Sequence, residues 1–225
     1  MNPQTQHLSL PGPAGALECA FDAPSGSPRG MALVCHPHPL FGGTMDHKVV
    51  QTLARAFLQL GYATWRFNFR GVGASEGAWD EGRGEIDDAM AVITAQRAAG
   101  QPLALAGFSF GGYVATQVAA RLAATAPVER LVLVGPSVEK QQAAPVPPET
   151  LVIQGELDDV VPLSAVLDWA RPQNLPVTVV PGAGHFFHGN LPLLRQIVSG
   201  AWAARSSPIT QNSAQTSAHP GALAP

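Results

Sequence analysis

The sequence predicts an α/β fold: a mostly parallel, twisted sheet with helices on both faces and an antiparallel hairpin at its N-terminal edge. Three observations carry that expectation. Short apolar runs without polar alternation recur along the chain, as strands covered on both sides require. Between them apolar residues fall at helical spacing, with glycine or proline at the junctions. Strand and helix therefore alternate, the pattern of βαβ units. With 46% hydrophobic residues in a chain of 225, there is material for one large core.

Taken in order, residues 7–10 and 16–21 flank Pro11-Gly12-Pro13-Ala14-Gly15 and read as the hairpin. Residues 31–35 form a continuous apolar strand. Val50, Leu53, Phe57 and Leu60 lie at helical spacing, with Gly61 where a C-terminal cap belongs. Residues 63–69 read as the next strand and lead into Arg70-Gly71-Val72-Gly73-Ala74-Ser75. Ile86, Met90 and Ile93 mark one face of a helix ending before Gly100. The strand 103–106 then enters Gly107-Phe108-Ser109-Phe110-Gly111-Gly112. Val114, Val118 and Leu122 repeat every fourth residue in a helix expected to begin near Gly112.

Residues 130–134 are a strand, 135–149 a proline-rich loop, and 151–154 a further strand. That loop is too short for a helical cap and has room to omit the usual crossover helix. A helix beginning near Pro162 carries Leu163, Val166 and Leu167, and residues 177–180 are the last strand. Asn190 is the expected N-cap of a closing helix that buries Leu194, Ile197, Val198 and Trp202. Residues 1–205 are thus expected to form a single domain. Residues 206–225, polar and short of large apolar side chains, read as a disordered tail.

Composition removes several function classes. Thirteen Lys and Arg against sixteen Asp and Glu leave a net charge of -3, with no basic patch for nucleic acid. No apolar run reaches the length needed to cross a bilayer. The start, Met1-Asn2-Pro3-Gln4-Thr5-Gln6, lacks the charged and apolar regions of a secretory signal. Two cysteines, Cys19 and Cys35, make no disulfide framework. The expectation is cytoplasmic residence and a small-molecule partner, neither nucleic acid nor membrane.

The stretch around Ser109 carries the chemistry. In a Gly-x-Ser-x-Gly turn between strand and helix the serine sits where the chain doubles back, on strained backbone, with its hydroxyl projecting from the sheet. Gly107 and Gly111 leave out the side chains that would collide across the bend. The helix that follows aims its first N–H groups, Phe110 among them, at negative charge developing beside Ser109. The bland alternative is a serine that merely caps the helix.

A serine hydroxyl is a poor nucleophile until a base takes its proton, and that base needs a third group to orient it. Such partners belong at the carboxyl ends of parallel strands. Two loops qualify: Gly155-Glu156-Leu157-Asp158-Asp159-Val160-Val161-Pro162, and Gly182-Ala183-Gly184-His185-Phe186-Phe187-His188. The order along the chain is Ser109, Asp158, His185, with Asp159 and His188 as rivals. His185 directly follows Gly-Ala-Gly at a strand end, which favours it over His188.

On these residues the chain resembles the α/β-hydrolase superfamily, over about residues 17–202. Gly107-Phe108-Ser109-Phe110-Gly111 is similar to its nucleophile elbow, Gly155-x-x-Asp158-x-x-Val161-Pro162 to its acid loop, and Gly184-His185-Phe186 to its histidine loop. Arg70-Gly71-x-Gly73-x-Ser75 is similar to the glycine-rich loop after the strand before the elbow. The resemblance implies an α/β-hydrolase fold without a cap domain and a catalytic triad of Ser109, His185 and Asp158. The family spacing from Gly155 favours Asp158 over Asp159. It further implies hydrolysis of a carboxylic ester or thioester through an acyl-enzyme, with no cofactor. A serine peptidase on the same fold, kept open by Glu156 and Asp159, and a catalytically silent binding protein are the alternatives.

Acyl transfer also needs two N–H donors for the developing oxyanion. Phe110 supplies one. The other is expected from His36-Pro37-His38-Pro39-Leu40-Phe41-Gly42-Gly43, where Pro37 and Pro39 have no N–H to give. The family position points to His38, with Leu40 as the alternative. This His-Pro-His-Pro-x-x-Gly-Gly run, followed by Thr-Met-Asp, resembles that of small lidless bacterial serine hydrolases and departs from the commoner His-Gly loop. His36, His38, His47, His185 and His188 also suggest a metal cluster, but His185 is committed to the serine and the expectation is no metal. Cys35 reads as a buried strand residue. The expected rim is Leu40, Phe41, Trp79, Phe108, Ser137, Val138, Val160, Phe186 and Phe187, with Leu40, Phe108 and Phe186 as substrate contacts.

Overall fold

Apolar runs that pair on both edges leave every strand residue with two faces to cover, and the chain answers with one sheet between two helical layers. The structure, a computed structural model, describes residues 4–203; the tail expected at 206–225 lies outside them. The strands are β1 (Gln6–Gly12), β2 (Gly15–Asp22), β3 (Gly30–Cys35), β4 (Tyr62–Phe67), β5 (Leu103–Phe108), β6 (Arg130–Val134), β7 (Leu151–Gly155) and β8 (Val177–Val180). They form an 8-stranded sheet in the order β1-β2-β4-β3-β5-β6-β7-β8. β1 pairs with β2, and β2 with β4, antiparallel. All other pairs are parallel.

The helices are α1 (Lys48–Gln59), α2 (Arg83–Gln96), α3 (Phe110–Leu122), α4 (Leu163–Ala170) and α5 (Leu191–Ala203). The two-residue period of a strand sorts its side chains between the faces. Met31, Leu33 and Cys35 of β3 join one core with Leu103, Leu105, Leu131 and Leu133, under α2, α3 and α4. Ala32 and Val34 join the other with Ala104, Ala106, Phe108 and Val132, under α1 and α5. Leu194, Val198 and Trp202 of α5 are buried and Ile197 is half-buried, and the Asn190 carbonyl accepts from Leu194 N–H as an N-cap carbonyl does. The Asn190 side-chain amide instead donates to the His188 carbonyl.

The boundaries nearest the crevice differ from the expectation. β4 ends at Phe67 because the next two amides leave the ladder: Asn68 N–H donates to the Glu18 carbonyl and Phe69 N–H to the His36 ring. β5 runs on to Phe108, and α3 starts at Phe110, earlier than Gly112, since the Ser109 carbonyl accepts from both Gly112 and Tyr113 N–H. Between β6 and β7, residues 135–150 contain no helix. The sheet order reverses between β3 and β5: β3 connects through α1 to β4 on one side, while β4 returns through α2 to β5 on the other. Loops leaving the carboxyl ends there diverge and open a crevice.

Candidate active site

Ser109 stands at that crevice with φ 55° and ψ -119°. An L-residue with positive φ is strained and persists only where its surroundings hold it. Here Ser109 N–H donates to the Val134 carbonyl (2.9 Å), and the Ser109 carbonyl accepts from Ser137 N–H (3.1 Å) besides the two amides of α3. A Cβ at Gly107 would run into the Gly111 carbonyl, and one at Gly111 into the Cys35 carbonyl. Both glycines are therefore steric necessities of the bend. Phe110 N–H, at the first position of α3, has no hydrogen-bond partner among the described residues.

Asp158 follows β7, and both of its carboxylate oxygens are engaged. Its Oδ1 accepts from Val160 N–H (3.0 Å) and Val161 N–H (2.7 Å), and its Oδ2 from the Gln154 side-chain amide (3.0 Å). His185 Nδ1 lies 2.7 Å from the same Oδ2. Both side chains are buried. An ionised carboxylate only accepts, so with these donors the proton of a neutral His185 sits on Nδ1, leaving Nε2 as the free base. The loops are zipped together: Glu156 N–H donates to the Val180 carbonyl, Leu157 N–H to the Ala183 carbonyl, and Gly182 N–H to the Glu156 carboxylate (2.8 Å). Gly135, at φ 50°, closes the pair from the β6 side; a Cβ there would stand 3.3 Å from the His185 ring and 3.4 Å from Asp158 Oδ2. Asp159 and His188 are exposed, and no side-chain hydrogen bond or ion pair joins either to Asp158 or His185 among the described residues.

The third loop follows β3. His36 is fully buried; its Nε2 accepts from Phe69 N–H (3.0 Å), so its Nδ1 carries the proton donated to the Pro37 carbonyl (2.6 Å). Burial holds this ring neutral, with its pKa down to about 3. The peptide plane after Pro37 is trans, so its N–H points opposite to its carbonyl, away from the His36 ring. That N–H belongs to His38 and has no partner among the described residues. Leu40 N–H, in contrast, donates to His38 Nδ1 (3.2 Å), while Phe41 and Gly43 N–H both donate to the His38 carbonyl.

The three loops enclose a cleft of about 400 Å³ lined by Pro37, His38, Phe41, Gly42, Gly43, His47, Ser109, Lys140, Val160, His185 and Phe186. Ser109 and His185 meet in it, although no hydrogen bond joins them among the described residues; such bonds commonly tighten only when substrate is bound. Of the expected rim, Phe41, Val160 and Phe186 line the cleft. Phe108 and Phe187 do not: both are fully buried, Phe108 beneath His47 (5.1 Å between rings) and His185 (4.9 Å). Aromatic area this close to a sheet edge was drawn into the core. Ser137 and Val138 are buried too, Trp79 packs on the His38 ring (4.4 Å), and Leu40 points outward at 64% exposure.

Lys140, Gln154 and Gly135 have no site role in the sequence reading, and His47 enters it only as a metal candidate that is set aside. Gln154 carried a signal, a polar residue ending an apolar strand. Lys140 and Gly135 did not. Burial, with neighbouring positive groups adding to it, holds the His38 and His47 rings below the usual imidazole value. Among the described residues no group of three or more His, Cys, Asp or Glu is placed to hold a metal ion. Cys19 and Cys35 are buried and free, their thiols pushed up by desolvation, Cys19 to about 12. Among the described residues, no helix is long and apolar enough to cross a membrane.

Residues 26–190 match the family described as serine aminopeptidase, S33. The chain is similar to an α/β serine hydrolase without lid from Xanthomonas campestris, with 38% identity, 92% of this chain and 99% of that one covered, and a TM-score of 0.80. An α/β serine hydrolase homologue from Coxiella burnetii shares 39% identity over 88% of this chain and 97% of its own, with a TM-score of 0.78. An uncharacterized protein of Rickettsia prowazekii is 33% identical over 193 residues, 78% of this chain and 79% of that protein.

Proposed function

The chain belongs to the serine aminopeptidase, S33, family and has the α/β-hydrolase fold, and from that premise we propose that it hydrolyses a carboxylic ester or thioester through an acyl-enzyme. The observation that carries the reading is the buried Asp158–His185 bond at 2.7 Å, in the same cleft as a serine held at positive φ. Ser109 Oγ attacks the carbonyl carbon as His185 Nε2 takes its proton. The oxyanion is received by the unpartnered N–H groups of Phe110 and His38. Leu40 N–H is already engaged with the His38 ring, which favours His38 as the second donor. Collapse breaks the bond to the alcohol or thiol, which leaves with the proton from His185. Water then repeats the sequence and releases the acid.

An aminopeptidase needs an acidic side chain to hold the substrate's free ammonium. No Asp or Glu lines this cleft; the Glu156 carboxylate is turned to Gly182 N–H and Asp159 faces solvent. That favours the ester over the peptide. In the test, the wild-type protein hydrolyses 4-nitrophenyl esters and Ser109 takes a fluorophosphonate probe. Ser109→Ala should lower kcat by at least about 10³-fold with an unchanged melting curve. Full turnover in that variant, or a wild-type serine that ignores the probe, would end the proposal.

A further inference from the structure

The ionisable side chains lining the cleft are His38, His47, Lys140 and His185, with no carboxylate among them. His47 Nδ1 accepts from Val49 N–H (3.3 Å), which puts the proton of the neutral ring on Nε2 as a donor. His38 is fixed the same way by Leu40 N–H. Lys140 adds a full positive charge. Its segment is pinned rather than loose: Ser137 N–H donates to the Ser109 carbonyl, and the Ser137 hydroxyl donates to the Gln141 side chain. Further along, the Gln117 amide donates to the Gln142 carbonyl (3.2 Å) and Ala144 N–H to the Thr116 hydroxyl (3.1 Å). The neighbouring Glu139 is exposed and does not line the cleft. Phe41, Val160 and Phe186 supply the apolar wall, each at least 42% exposed.

We propose that this cleft selects esters whose acyl group carries a second, remote carboxylate, received by the Lys140 ammonium while the carbonyl lies between Ser109 and the N–H groups of Phe110 and His38. The inference rests on the serine-hydrolase reading above and names its substrate class, half-esters of dicarboxylic acids. A cleft lined by a lysine and histidines, with no anionic side chain, attracts such a carboxylate and repels a free amine. The apolar wall covers the methylenes between the two ends.

Mono-4-nitrophenyl esters of adipate, pimelate and suberate, each paired with its neutral methyl-capped twin, test this. At low salt the wild-type kcat/KM should favour at least one charged member by roughly two- to fivefold, chiefly through KM, as a partly exposed ion pair would give. The ratio should fall towards one at about 0.5 M NaCl. Lys140→Met should remove the preference and Lys140→Arg should keep it. A second arm compares 4-acetoxybenzoate with 4-acetoxybenzamide, which moves the charge to the leaving group; a preference there alone would overturn the acyl-side assignment. Ratios at or below one in active wild-type enzyme, or a ratio unchanged in Lys140→Met, would overturn the inference and leave the hydrolase standing. A protein that cleaves none of these esters and takes no fluorophosphonate would remove both.

Discussion

Asp158 does two jobs with one carboxylate. Oδ1 closes the turn by accepting from Val160 and Val161 N–H, and Oδ2 receives Gln154 and His185. The simple reading of an acidic residue that caps a turn and the reading of one that orients a base therefore describe the same residue. Asn in its place keeps the shape but offers one acceptor and an N–H₂ group that must face either a donor or His185 Nδ1. Asp158→Asn should lower kcat by about 10³- to 10⁴-fold, as the wrong tautomer of His185 is stabilised, and lower stability by about 1–3 kcal/mol. Ester hydrolysis and urea unfolding at one pH separate the two effects; unchanged kcat would remove Asp158 from the mechanism. Ser109, Asp158 and His185 were legible because each sits in a short motif at a strand end. Lys140 was not, and His47 stood out only as a metal candidate, since a cleft wall is assembled from loops whose spatial meeting leaves no local pattern. Phe108 was misplaced because an aromatic residue beside a turn looks the same in sequence whether it faces solvent or core.

At the scale of elements, the Arg70-Gly71-x-Gly73-x-Ser75 segment is a clamp. Arg70 donates to both carboxylate oxygens of Asp88 on α2, at 2.7–3.1 Å, through its backbone N–H, Nε and Nη2. Asp88 is wholly buried and Arg70 nearly so, and this bonding raises the Arg70 pKa further. The Ser75 hydroxyl donates to the Asn68 carbonyl and accepts from Glu18 N–H, tying the same segment to β2. Removing one partner of such a pair strands the other's charge. Asp88→Ala should therefore cost about 3–5 kcal/mol, and Arg70→Met with Asp88→Leu together much less than either change alone. Additive losses in thermal unfolding would show that the pair is not coupled. Apolar spacing, with turn residues at the junctions, found every β-strand and α-helix of residues 4–203, because it is a local property, and missed the short 3-10 helices at Pro39–Phe41 and Arg171–Gln173. It misjudged the end of β4, because the ladder stops where His36, distant in sequence, captures Phe69 N–H.

For the whole molecule, the same His36 couples acidity to folding. Its ring joins the ends of β3 and β4, and burial depresses its pKa from 6.5 to about 3. Above about pH 6.5 the ring is neutral in both folded and unfolded chains and contributes no slope. Between about 6.5 and about 3 the unfolded chain takes up a proton that the folded one refuses, so stability falls as pH falls, by up to about 1.4 kcal/mol per unit from this group. His36→Phe fills similar volume and cannot titrate. It leaves Phe69 N–H without its acceptor, so it should be less stable at pH 7.5 by about 1–3 kcal/mol, yet lose less on acidification. Urea midpoints at pH 7.5, 6 and 5 should therefore converge between wild type and variant. Curves that stay parallel would mean another group sets the acid limit. Because the Pro37 carbonyl that the ring holds also aims His38 N–H, the variant should show a lower kcat on a neutral ester at pH 7.5, where the fold is intact, with little change in KM, as expected when an oxyanion donor is misaligned.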